Sequence, residues 1–214
     1  MRMAGSISRT CSIRQTGMSF GSLGENAITA LSIGLNRAHG TWMNTGEGGL
    51  SDHHLKGGVD LIYQIGPVLF GVRTEDGAFP ETAFKIKSKI PQVRAFELKL
   101  AQGAKTRGGH IEGEKVTEEI ARIRNVKAGV TIDSPNRFSE FKTDTELLAF
   151  IERLRAIGGK PVGMKLVIGR LSDFEALVNE MATSGRHPDF ITVDGGEGGT
   201  GRRTKNSPIR SVCR

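Results

Sequence analysis

Two lysines interrupt apolar runs of this sequence, Lys99 in Glu97-Leu-Lys-Leu and Lys165 in Met164-Lys-Leu-Val. An ammonium group inside a buried strand is costly unless it meets an anion or a strong acceptor. At such a position a cation can stabilise negative charge developing on a bound ring. The plainer alternative is a structural pair with a carboxylate such as Glu97. The loop Gln102-Gly-Ala-Lys-Thr-Arg-Gly-Gly-His follows Lys99 and carries Lys105, Arg107 and His110 among its glycines. Such a loop can close over a dicarboxylate, or it is a solvated basic turn. A third candidate, Gly196-Glu-Gly-Gly-Thr-Gly201, matches G-x-G-x-x-G. A dinucleotide site would need a helix opening there and an acidic residue about twenty positions later. Arg202-Arg-Thr-Lys-Asn-Ser-Pro208 supplies neither. We read the run as a glycine floor beside a planar ring or phosphate, including Gly195, Gly196 and Gly199.

No metal site is expected. His39, His53, His54 and His187 have no ligand spacing and read as surface residues. Cys11 and Cys213 sit near the two termini, outside any CxxC or Cys/His cluster, so no zinc or iron–sulfur ligand set can be read.

The elements that must position these residues alternate along the chain. Glu25 to Arg37 is amphipathic, with Ala27, Ala30, Leu31 and Ile33 expected on one face. Strand-like runs follow at 41–44, 59–65 and 93–100, with a short helix at 84–89. A helix is predicted over 115–125, a strand at 129–133 and a helix at 144–156. Further strands fall at 161–168 and 190–194, with a helix at 172–182 between them. Strands alternating with helices point to parallel βα units, either an open doubly wound sheet or a closed barrel. Asn44-Thr-Gly-Glu47, Lys99, Asp133-Ser-Pro, Lys165 and Asp194-Gly-Gly all fall at or just after the C-terminal ends of strands. Polar groups from many strands meeting at one rim favour an α/β fold of the (β/α)8 TIM-barrel type. About six or seven strands precede residue 201, whereas such a barrel needs eight, so it is expected to be incomplete.

Charge and composition exclude other classes. The net charge of +7 comes from dispersed Lys and Arg, with one Trp and one Tyr, and no basic run interleaves with aromatics. Nucleic acid is therefore not an expected partner. No apolar run is long enough to span a bilayer, and the cysteine usage fits a cytoplasmic protein. The Arg/Ser-rich start is read as an N-terminal tail, residues 1–17, in preference to a transit peptide. The 29 glycines cluster at the ends of apolar runs rather than in linkers.

Seven segments in order then carry a resemblance. They are Met18-Ser-Phe-Gly-Ser22, Asn44-Thr-Gly-Glu-Gly-Gly49, and Gln64-Ile-Gly with Phe70-Gly-Val-Arg73. Glu97-Leu-Lys-Leu-Ala-Gln-Gly-Ala-Lys105, Lys115 to Arg124, Asp133-Ser-Pro135 and Val193 to Gly201 complete them. Residues 18–201 resemble the FMN-binding synthase domain of the glutamate synthase large subunit, in its stand-alone form. The resemblance implies a (β/α)8 barrel with FMN at its C-terminal rim. It implies reduction of 2-iminoglutarate, from 2-oxoglutarate and ammonia, to L-glutamate by hydride transfer, with electrons from ferredoxin or a reductase subunit. Met18, Ser19, Asn44, Thr45, Lys99, Lys165, Gly195, Gly196 and Gly199 would hold the FMN. Glu47 and Lys99 would be catalytic, and Lys105, His110 and Arg124 would bind substrate.

Departures from the family pattern are expected to matter. Thr106-Arg107 replaces Pro-Gly, His110 stands where a glutamine contacts the keto acid, and Glu112 replaces a proline. Residues 202–214 read as an off-pattern basic tail, consistent with out-of-frame translation, and the FMN phosphate site is expected to be missing. Neither a glutaminase nucleophile nor the family's cluster-ligating cysteines can be assigned in this chain. Alternatives are an FMN oxidoreductase for another acidic substrate, or a non-catalytic remnant.

Overall fold

The computed structural model describes residues 14–104 and 109–195. Helix α1 (Glu25–Arg37) has Glu25 in its first turn and Arg37 in its last, both favourable to the helix dipole. Strand β1 (Met43–Asn44), the short α2 (Asp52–Leu55) and β2 (Leu61–Ile65) follow. Then come α3 (Glu81–Ser88) and the seven-residue β3 (Val93–Lys99). The next stretch holds β4 (His110–Ile111), α4 (Glu118–Arg124) and β5 (Ile132–Asp133). After it come α5 (Asp144–Gly158), β6 (Val162–Leu166), α6 (Leu171–Ser184) and β7 (Ile191–Val193). Helix α5 shows why such segments are helical. Thr143 and Glu146 form a capping box at its start, and Gly159 ends it at a φ of 62°. Between them Leu147, Leu148, Ile151 and Leu154 make one buried stripe.

Five strands form one parallel sheet in the order β1-β2-β3-β6-β7. A doubly wound sheet reverses its strand order at a switch point. Among the described strands this one never does. The sheet also curls. Asn44 on β1 and Thr192 on β7, at opposite ends of the strand order, both bond the carboxylate of Glu97 on the central β3. In a flat sheet of this order β1 and β7 would lie about 19 Å apart, four spacings of about 4.8 Å.

Alternation along the strands separates two faces. Asn44, Gln64, Glu97 and Thr192 meet on the inner face. Tyr63, Phe96, Leu98, Val162 and Met164 join the apolar core with Phe84 and the α5 stripe. The Phe84 and Phe96 rings lie 4.3 Å apart there.

Three expectations need correction. The run 129–133 supplies no strand to the parallel sheet; β5 pairs antiparallel with β4 in a separate two-stranded sheet. Its β-type composition satisfies either kind of partner. The buried face of α1 is Ile28, Ser32 and Leu35, while Ala27 and Ala30 are exposed. The buried stripe contains a serine because its hydroxyl donates to the His54 carbonyl and accepts the Gly57 N–H. Finally, His53 and His54 are buried, not surface residues.

Candidate functional site

The inner face at the C-terminal strand ends carries two tiers of polar groups. The lower tier centres on Glu97, only 2% exposed. Its Oε2 accepts from Asn44 Nδ2 at 2.9 Å and Gln64 Nε2 at 2.5 Å, and its Oε1 accepts from Thr192 Oγ1 at 2.6 Å. The register places Glu97 beside Gln64 on one side and Gly163 on the other. A Cβ at Gly163 would strike the Phe190 ring at 2.4 Å.

The upper tier holds the two lysines side by side in register. Lys99 Nζ donates to Glu47 Oε1 at 2.7 Å and to Gln102 Oε1 at 2.9 Å. Lys165 Nζ lies 2.7 Å from Asp194 Oδ2, and the Gly103 N–H donates to the other Asp194 oxygen. The carboxylate partners are therefore Glu47 and Asp194, not Glu97. Asp194 fastens the start of the loop after β3 to the end of β7.

The loop after β1 brings Glu47 to this rim through close backbone approaches. Gly46, at a φ of +67°, lies so near Ser19 that a Cβ would meet its backbone nitrogen at 2.6 Å. At Gly66 a Cβ would collide with Glu47 Oε2 at 2.2 Å, so that glycine makes room for the carboxylate. Asn44 Oδ1 accepts the Gly46 N–H, and Ser19 Oγ accepts the Gly48 N–H. The Thr45 hydroxyl bridges the Gly46 carbonyl and the Gln64 N–H.

His54 sits behind this loop. Its Nε2 is 3.0 Å from the Met18 carbonyl, which can only accept, so Nε2 carries the proton. Nδ1 then accepts from the Ser51 hydroxyl and N–H. Burial pushes the pKa of His54 down, against a smaller opposing effect of the Met18 carbonyl. Its neighbour His53 stacks on Phe20 and reaches Glu119 at 3.1 Å. Sequence spacing gave no sign of either role, because the bonds to Met18 and Glu119 reach 36 and 66 positions along the chain.

Arg124, at the end of α4, is 4% exposed. Its Nη2 donates to the Phe20 carbonyl at 3.0 Å, and the guanidinium lies 4.8 Å from the centre of the Phe70 ring. Burial lowers its pKa, and the charge of Glu47 partly offsets that. Nε is buried without a hydrogen-bond partner, and no carboxylate lies within ion-pair distance among the described residues. Gly48 borders the same guanidinium; a Cβ there would sit 3.2 Å from Nη2.

The structure thus brings together Met18, Ser19, Asn44, Thr45, Glu47, Lys99 and Arg124, with Lys165 beside Lys99. It places His110 elsewhere in the bonding scheme: Nδ1 is 2.5 Å from Asp133 Oδ1 on the β4–β5 pair. Gly195 follows Asp194 and is exposed. Lys105, Gly196 and Gly199 lie outside the described residues. Glu97, Gln64 and Thr192 were not singled out as site residues by sequence, whereas Asp194 was read as a polar group at a strand end. Glu97 stands two residues before Lys99 and Thr192 two before Asp194, but Gln64 has only Ile62 at that spacing in β2. A separate cavity of 570 Å³ lies between β6 and α6, lined by Leu147, Leu166, Ile168, Phe174 and Leu177 among others; no member of the two tiers borders it. Among the described residues no cluster of His, Cys, Asp and Glu is arranged to hold a metal. No helix there is long and apolar enough to cross a membrane.

The family model for the conserved region of glutamate synthase matches residues 5–210. The chain is 64% identical over 189 residues to the glutamate synthase large subunit-like protein YerD of Bacillus subtilis (strain 168), across 88% of this chain and 36% of that protein. It is 33% identical over 193 residues to the archaeal-type glutamate synthase (NADPH) of Thermotoga neapolitana, across 89% and 34%. It is also 33% identical over 210 residues to the chloroplastic ferredoxin-dependent glutamate synthase of Spinacia oleracea, across 92% and 12%. The chain therefore spans about a third of the length of the first two relatives.

Proposed function

The chain belongs to the glutamate synthase family, and on that premise we propose that it forms the substrate-facing part of a flavoenzyme domain. The proposed reaction reduces 2-iminoglutarate, formed from 2-oxoglutarate and ammonia, to L-glutamate. The proposed fold is a (β/α)8 barrel with FMN at its C-terminal rim, working in the cytoplasm. One observation carries the reading: a buried guanidinium, Arg124, beside the Lys99–Glu47 pair and without a carboxylate partner among the described residues. A planar fork of that kind suits a substrate carboxylate.

The residues present fit the flavin ring. Gly46, Gly48 and Gly66 let the loop after β1 pack closely on Ser19 and around Glu47. The Lys99 and Lys165 ammonium groups, side by side in register, give this rim a cationic edge that suits the electron-rich end of a flavin. Met18, Ser19, Asn44, Thr45, Lys99, Lys165 and Gly195 would hold it, with Gly196 and Gly199. Bound and reduced, FMN supplies the hydride. Arg124 and Lys105 hold the two substrate carboxylates, and His110 contacts the keto acid. Lys99 fixes Oε1 of Glu47, leaving Oε2 to hold the proton that the substrate nitrogen takes up. Lys165, balanced by Asp194, stabilises negative charge at the ring edge. The names of the relatives include NADPH and ferredoxin, which supports a ferredoxin or a reductase subunit as electron donor.

The test is direct. The purified chain, given FMN, should retain a flavin spectrum after dialysis, and 2-oxoglutarate with ammonium should reoxidise the reduced flavin. A chain that retains no flavin overturns the proposal. Reoxidation only by other keto acids would favour the second reading, a different acidic substrate, which rests on His110 and Glu112.

A further inference from the structure

Glu97 is the most deeply placed carboxylate of the inner face, and nothing in the reaction proposed above uses it. A carboxylate can only accept, so the amide nitrogens of Asn44 and Gln64 must both turn towards Oε2. That choice fixes the opposite ends of both amides. Asn44 Oδ1 is left for the Gly46 N–H, which sets the turn leading to Glu47. Gln64 Oε1 is turned towards Gly17, where a Cβ would meet it at 3.2 Å. Among the described residues the charge itself has no cation. Lys99 and Lys165 are committed to Glu47 and Asp194, and no ion pair involves Glu97 among the described residues. Three hydrogen-bond dipoles solvate it instead, inside a poorly screened interior.

We propose that Glu97 is a positioning residue behind the cofactor face, one that orients Asn44 and Gln64 and places an uncompensated negative charge there to lower the electron affinity of the bound ring. This rests on the flavoenzyme reading. Lys99 and Lys165 draw electrons towards the ring, and Glu97 opposes them from behind. The site would then hold a reduced cofactor that gives up its hydride readily.

The experiment measures the two-electron midpoint of FMN bound to the full chain and three variants. Glu97→Gln removes the charge and should raise the midpoint, by about 30 mV for a tenfold change in the reduced-to-oxidised ratio. Glu97→Asp keeps the charge and should restore the value of the unsubstituted chain. Thr192→Val removes one dipole from the carboxylate and should shift the midpoint the opposite way, downwards. Opposite shifts are not what a loss of packing produces. If Glu97→Gln fails to fold, the Thr192→Val shift alone decides. An unchanged midpoint in both, or the same upward shift in Glu97→Asp, overturns the inference while leaving the flavoenzyme reading intact. An unsubstituted chain that binds no flavin overturns both.

Discussion

Lys99–Glu47 and His110–Asp133 are both short pairs, at 2.7 Å and 2.5 Å, and both involve residues that the sequence marks as functional. They differ in what holds them. Lys99 ends a seven-residue strand paired on both sides, and its side chain is 12% exposed. His110 starts a two-residue strand with a single partner, and the Asp133 side chain opposite it is 79% exposed. Contact distance therefore says little about commitment. A charge placed by a buried strand cannot move away from its partner, whereas a charge on an exposed two-stranded ladder exchanges its partner for water at little cost.

Perturbations should separate the two regions in a graded way. Glu97→Ala, beneath the first pair, leaves two buried donors and the half-buried Thr192 hydroxyl without their acceptor and should cost about 3–5 kcal/mol in urea unfolding. A loss below 1 kcal/mol would erase the distinction. Gly46→Ala forces a side chain into a positive-φ position against Ser19 and should cost about 2–4 kcal/mol, read in the same way. Lys99→Met should slow substrate-dependent flavin reoxidation about 100-fold. His110→Ala should instead raise KM with kcat largely kept; a matching fall in kcat would put the β4–β5 pair on a par with the strand end.

The next effect is a pH dependence. His54 is held neutral in the fold, with its pKa below the ordinary 6.5. Below pH 6.5 the unfolded chain therefore binds a proton that the folded chain refuses. Stability from this group is complete above pH 6.5 and declines as pH falls towards the depressed folded value, by up to about 1.4 kcal/mol per unit. Melting temperatures from pH 8 to pH 5 should show the decline, and His54→Gln should flatten it. The smallest effect belongs to the β4–β5 pair: Asp133→Asn should change stability by less than about 1 kcal/mol.

Much of this was legible in the sequence. Lys99 and Lys165 stood out because a charge inside an apolar run has few explanations, and α5 because Leu147, Leu148, Ile151 and Leu154 repeat at helical spacing. Other features were hidden for physical reasons. Glu97 was considered only as a fallback partner for a lysine, since one residue's pattern does not reveal that donors from three other strands converge on it. The run containing β5 fits a strand of either kind, and composition does not choose between parallel and antiparallel partners. The burial of Ser32 and His54 depends on hydrogen bonds with residues 22 and 36 positions away. Local periodicity does not register such bonds.

The strand order also bears on how the molecule assembles during synthesis. Each described strand of the parallel sheet lies beside the one made just before it, so pairing can proceed as the chain emerges. Glu97 is the exception. Two of its donors, Asn44 and Gln64, precede it in the chain, but the third, Thr192, is made 95 residues later. Until β7 docks, the ribosome holds a nascent sheet whose central carboxylate lacks its last ligand, and that late bond marks the moment the inner face closes.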